Sequence, residues 1–154
     1  MSIKSNLRIR LDRIVKRLIY RTVMNIILYD IRIFVDSERV FISDTATMSN
    51  AFLNTNSGTI KVGDYTFCGQ NVSLITGAHN YEYLGDERKS AITESGNDIV
   101  IGSGVWIGSH AIVLGPCVIG DNSVISAGSL VINDIDANTV VGGVPAKIIK
   151  RLNK

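Results

Sequence analysis

Along the second half of the chain an aliphatic residue returns at every sixth position. Ile101, Ile107, Val113, Ile119, Ile125 and Val131 are all β-branched. Four places after each come Val105, Ala111, Cys117, Ser123, Ser129 and Ile135, most of them small. The same register runs upstream through Val62, Cys68 and Leu74, and more weakly through Ile42 and Met48, until Asn54 interrupts it. Eleven of these twelve anchors are apolar, in a chain that is 45% hydrophobic; chance would supply about five. A period of six is neither a helical face, which repeats near 3.6, nor the two-residue alternation of a half-buried strand. It suits short strands joined by tight turns, with the anchors facing a narrow interior and small residues where the cross-section is tightest. Turn sequences such as Gly63-Asp64 and Gly120-Asp121-Asn122 tolerate the backbone that such corners need. Three hexads make a coil of about 18 residues, and each coil buries its interior only by stacking on the next. The expectation is an all-β solenoid, a parallel β-helix over residues 39–144.

Two segments escape the period. Residues 79–98 are polar, with five acids and two bases, and read as an irregular loop thrown out from a coil corner; long loops of this kind tend to carry function. Residues 5–30 place Leu7, Leu11, Ile14, Val15, Leu18, Thr22 and Ile26 at helical spacing, with Arg8, Arg13, Lys16, Arg17 and Arg21 largely elsewhere. Residues 1–38 are therefore expected to form a basic amphipathic helical cap over the open end of the solenoid, where strand edges would otherwise be unpaired. A second, compatible reading gives residues 4–21 a peripheral contact with an anionic membrane surface. After the solenoid, residues 145–154 begin with proline and are expected to form a short helix.

Charge and glycine sharpen this division. The net charge is only +2, yet residues 1–35 carry +6 and the remainder −4, and all 14 glycines lie between Gly58 and Gly143. No run of about 18 uncharged apolar residues exists to span a membrane; the best stretch, 18–35, contains Arg21, Asp30 and Arg32. The charged start also lacks the form of a secretory signal. A cytoplasmic protein, in peripheral contact with the inner membrane face if the helix binds lipid, is the expectation. No feature points to nucleic acid. Cys68 and Cys117 fall at inward positions, where a free cysteine packs as a small hydrophobe.

The repeats of residues 40–150 resemble the hexapeptide-repeat acyltransferase superfamily. The run Gly104-Val-Trp-Ile-Gly-Ser109, continuing to Ser129, and the ending Val141-Gly-Gly-Val-Pro-Ala-Lys147 are most similar to its maltose/galactoside O-acetyltransferase branch. The resemblance implies a left-handed parallel β-helix, a homotrimer with its active sites between copies, and acetyl-CoA as co-substrate with no metal. It also implies a direct transfer in which a histidine at the head of the loop takes the acceptor's proton. Thr76-Gly-Ala-His79 matches that position, so His79 is the expected general base; imidazole suits the task because its ordinary pKa lies near working pH. The only other histidine, His110, reads as a turn residue. By the same resemblance Asn54 (or Asn56) lies near the acetyl group, Trp106 walls the active-site tunnel, and Ser109 meets the acetyl end of the CoA. Ala127 touches the pantetheine, Ile132 and Asn133 stand at a further contact with the cofactor, and Lys147 and Lys150 meet the nucleotide phosphates.

The acceptor implied is a small-molecule or lipid-linked sugar, from a cell-surface polysaccharide or its precursor. N-acetylation of an amino sugar, acetylation of an antibiotic and a non-catalytic scaffold remain alternatives. A β-helix carbonic anhydrase, which needs three zinc-binding histidines, is excluded by a chain with two.

Overall fold

The computed structural model describes residues 3–153. Within the N-terminal helix, the side chains of residues 3–10, 12, 25 and 27–29 lie outside the described set, and with them part of the 4–21 surface. The chain divides into two compact units, one ending at Asp30 and the other beginning at Ile31.

The first unit is a single helix, α1 (Ile3–Tyr29). It contains no glycine or proline, and a helix of 27 residues needs neither to be excused. Of its apolar stripe, Leu11, Ile14, Val15, Leu18 and Ile26 are exposed. Among the described residues, no helix is long and apolar enough to cross a membrane.

The second unit is a solenoid of three sheets. One joins β1 (Arg32–Phe34), β3 (Phe52–Asn54), β6 (Ser73–Ile75), β9 (Ile112–Leu114) and β12 (Leu130–Val131), in that order. The next joins β2 (Val40–Ile42), β4 (Ile60–Val62), β7 (Ile99–Ile101) and β10 (Cys117–Ile119). The third joins β5 (Phe67–Cys68), β8 (Trp106–Ile107), β11 (Val124–Ile125), β13 (Thr139–Gly143) and β14 (Ala146–Arg151). Every pairing is parallel except the last, β13 with β14. Anchors stack on anchors: Leu74 on Val113 on Val131, Val62 on Ile101 on Ile119, Cys68 on Ile107 on Ile125 on Val141. All but half-buried Cys68 in these ladders are buried, as are Val105, Ala111, Cys117, Ser123 and Ser129 at the fourth places. Two columns of corner residues take the left-handed backbone that tight turns require, Tyr65, Gly104, Asn122 and Asn138 in one and Asn71, His110 and Gly128 in the other. At Gly108 a Cβ would come within 2.4 Å of the Ala127 backbone nitrogen in the next coil, so this corner closes only over glycine.

The structure departs from the sequence expectation in four places. Leu53, not Asn54, is the inward residue of its coil: it is fully buried and pairs with Leu74. The step from Met48 to Leu53 is one residue shorter than that from Cys68 to Leu74, and because a one-residue slip exchanges the two faces of a strand, the shortened corner keeps an apolar side chain inside. The solenoid also starts earlier than residue 39. Ile31 packs against the core and β1 pairs with β3, drawing residues 31–35, three of them β-branched, out of the segment read as cap. The loop of residues 79–98 is not wholly irregular, for it contains a short helix, α2 (Gly85–Ser90). The C-terminal segment, finally, is a strand and not a helix. Val144, preceding proline, is driven out of the helical region, the adjacent pair Ile148-Ile149 favours extended backbone, and Gly143 at φ +102° reverses the chain into the hairpin. Arg151 then pairs with Asp136 at 2.9 Å.

Candidate active site

Strand β6 delivers the chain to the corner from which the loop departs. Thr76 is buried there; its hydroxyl donates to the Asn54 carbonyl (2.9 Å) and accepts from the Ser57 amide (3.1 Å). Gly77 follows because a Cβ at that position would lie 2.8 Å from the Asn54 side-chain oxygen. That oxygen accepts the Asn56 amide (2.9 Å), so Asn54 is pinned beneath the strand that leads to His79. Two backbone bonds close the neck of the loop, Asn80 to Ala91 (2.9 Å) and Thr93 to Ala78 (3.1 Å), and His79 sits between them opposite Ile92.

The His79 ring is exposed, and its Nδ1 lies 3.0 Å from the carbonyl oxygen of Arg88 in α2. A carbonyl only accepts, so Nδ1 carries the proton of this bond. The remaining nitrogen, Nε2, then holds a lone pair, which is the form a general base requires.

A second group of residues lies on the third sheet. Trp106 is half exposed and stacks on Phe67, with centroids 6.1 Å apart and rings 13° from parallel. In register outward from Phe67 come Trp106, Val124, Val140 and Lys150. Ser109 occupies the corner after β8, where its hydroxyl accepts the Gln70 amide (3.1 Å), and exposed Ala127 stands one coil beyond it. Lys147 faces Gly142 across the hairpin, and Gly142 lies against Ser126, next to Ala127. The structure thus gathers Trp106, Ser109, Ala127, Lys147 and Lys150 on one sheet and its edge. Ile132 and Asn133 are not with them. They follow β12, at the corner column that also holds Asn54 and Thr76. Within one chain the His79 corner and the Ser109 corner are opposite ends of the first sheet, separated by strands of three residues, roughly 10 Å.

Burial pushes both thiols up to about 11, Cys117 with a further contribution from the charge of Asp134. Thiols so raised stay protonated at neutral pH, which disfavours either as a nucleophile. Among the described residues no group of three His, Cys, Asp or Glu side chains gathers to hold a metal ion. Two residues that sequence reasoning did not single out belong to these surroundings, Arg88 and Phe67. Phe67 lies six residues before Ser73 in the repeat, but Arg88 acts on His79 through a carbonyl, which every residue possesses.

Coils of hexapeptide repeats, interrupted once by a histidine-bearing loop, define a class of protein. Residues 98–133 match the family described as bacterial transferase hexapeptide (six repeats). The chain is 41% identical over 95 residues to the galactoside O-acetyltransferase of Escherichia coli K12, an alignment covering 62% of this chain and 45% of that protein. Among solved structures it is similar to a maltose O-acetyltransferase from Clostridium difficile 630, with 31% identity, 81% of this chain and 68% of that one covered, and a TM-score of 0.57. It is also similar to a hexapeptide-repeat acetyltransferase of Vibrio cholerae in complex with acetyl coenzyme A, with 26% identity, 88% and 78% coverage and a TM-score of 0.57. The chain belongs to the hexapeptide-repeat acyltransferase superfamily, which implies the left-handed winding expected of its coils. Within it, the relatives identify the maltose/galactoside O-acetyltransferase branch. The chain spans about half the length of the curated relatives it matches.

Proposed function

We propose that the protein is an acetyl-CoA-dependent O-acetyltransferase acting by direct transfer to a sugar hydroxyl, with His79 as general base. The observation that carries this is the free Nε2 at the head of the loop, fixed by the Nδ1 bond to Arg88. Nε2 removes the hydroxyl proton as the oxygen attacks the thioester carbonyl. The tetrahedral intermediate collapses with cleavage of the carbon–sulfur bond, and the imidazolium returns its proton to the departing thiolate. Asn54 and Ser109 are the candidate polar contacts for the developing oxyanion and acetyl group, and Trp106 supplies an apolar wall. The acyl donor lies along the third sheet, past Ala127, with Lys147 and Lys150 meeting its phosphates and Ile132 and Asn133 a further contact; an acetyl-CoA complex of a relative supports this choice of donor.

Because the two groups of residues occupy different corners of one chain, the site is completed between copies of a homotrimer, His79 of one facing the Trp106–Lys150 sheet of the next. The acceptor is a polysaccharide sugar or its lipid-linked precursor. Helix α1 supports that reading: it holds seven Lys and Arg against one acid, a basic excess that favours anionic lipid.

The test is thiol release from acetyl-CoA across a panel of sugars, amino sugars and chloramphenicol, wild type beside His79→Ala. Release that depends on a sugar hydroxyl and on His79 is expected. Full activity in the variant would overturn the base assignment, and absence of both release and CoA binding would favour a scaffold.

A further inference from the structure

The loop that carries His79 is acidic and almost wholly exposed, with Glu82, Asp86 and Glu87 close in sequence to its one arginine. An exposed arginine in such company would ordinarily form surface ion pairs. Among the described residues, Arg88 forms none. Its side chain turns back along the loop instead, Nε donating to the Tyr83 carbonyl (2.6 Å) and Nη2 to the Tyr81 carbonyl (2.9 Å). These are charge-assisted bonds from a planar fork to two carbonyls of the segment between His79 and α2. The same residue's own carbonyl receives the His79 Nδ1 proton. One residue thus grips the incoming segment with its side chain and the imidazole with its backbone.

We infer that Arg88 is a positioning residue for His79: by clamping the 81–83 turn it holds its own carbonyl against Nδ1 and so keeps the ring in the tautomer that leaves Nε2 free. The inference rests on the reading of His79 as base, but its first consequence is a property of the resting protein. An imidazole without this partner reverts toward the Nε2–H form, whose lone pair is on the wrong nitrogen.

The experiment is long-range nitrogen–proton NMR of the full chain labelled at histidine. Two histidines give two ring systems, and a His110→Gln background identifies that of His79. Wild type is expected to show chiefly the Nδ1–H tautomer, Arg88→Ala to shift the majority to Nε2–H, and Arg88→Lys to restore the wild-type form only in part because it lacks the fork. Ser90→Ala removes the hydroxyl bonds to the Asp86 and Glu87 carbonyls in α2 but leaves the clamp, and should not move the tautomer. An unchanged tautomer in Arg88→Ala, or an equal shift in Ser90→Ala, would overturn the inference. In turnover, Arg88→Ala is expected to lower kcat about 10- to 100-fold with KM for acetyl-CoA nearly constant; a loss confined to KM would also count against it. If His79→Ala retains activity while the tautomer responds as stated, the base assignment fails and the positioning role stands.

Discussion

The hexads of residues 101–136 and the loop of residues 79–98 keep their shapes by opposite means. In the hexads all six anchors are buried, and each is stacked on its counterpart one coil away. The loop has no buried side chain; only Asn80, Ala91 and Asn97 are partly covered. It is held by two backbone bonds at its neck, one turn of helix and the guanidinium of Arg88. A region of the first kind is sensitive to side-chain volume and indifferent to single polar atoms. A region of the second kind is the reverse, which suits it to the chemistry proposed for His79.

The sharpest way to separate the two is a pair of substitutions. His79→Ala should lower kcat about 10²- to 10⁴-fold while leaving the melting temperature where it was, because the ring is exposed. Ile107→Ala, fully buried inside the anchor ladder of the third sheet, should cost about 2–5 kcal/mol of stability in a denaturant titration. It should leave the kcat of the protein that remains folded close to wild type. A smaller effect is expected at the cysteines. With their pKa values raised to about 11, alkylation by iodoacetamide should be slow at pH 8 and should accelerate up to that range in the folded protein. Rapid modification at pH 8 would mean that the coils open there.

The smallest effect lies where the two regions join. Asp98 accepts the Thr59 amide (2.7 Å) and hydroxyl (2.9 Å), and these bonds hold its carboxyl below the ordinary value. A carboxyl depressed by folding stabilises the native state above its unfolded pKa of about 3.9, and that contribution fades as pH falls through the folded value. Asp98→Asn should therefore melt slightly lower than wild type at pH 7, with the gap closing in acid. A gap that widened below pH 4 would contradict the assignment.

The anchors were legible because every sixth residue reports burial directly, and the three-sheet coil follows from them. The slip at Leu53 was not, because removing one corner residue leaves the composition of the strand unchanged while exchanging its faces. Pro145 misled for a different reason: proline opens helices and also follows the turn of a hairpin, and only the partner strand at 139–143 decides between them. His79 stood out as an imidazole at the break in the repeat. Its partner could not, since a backbone carbonyl has no signature in sequence, and the fork of Arg88 acquires meaning only once Tyr81 and Tyr83 have turned their carbonyls toward it.

The outward row of the third sheet has one further consequence. Trp106, Val124, Val140 and Lys150 occupy successive strands, each set about 4.8 Å from the last by the hydrogen-bond spacing of a sheet. The row is a ruler graduated in strands, with an indole at one end and an ammonium roughly 14 Å away at the other. Its length is a whole number of strand spacings, two from coil to coil and the last across the β13–β14 hairpin, and cannot drift by fractions. Excising the coil between Trp106 and Val124 would shorten it by a single graduation, so on the donor placement proposed above the reach from the reactive end to the phosphates follows the number of strands in the row.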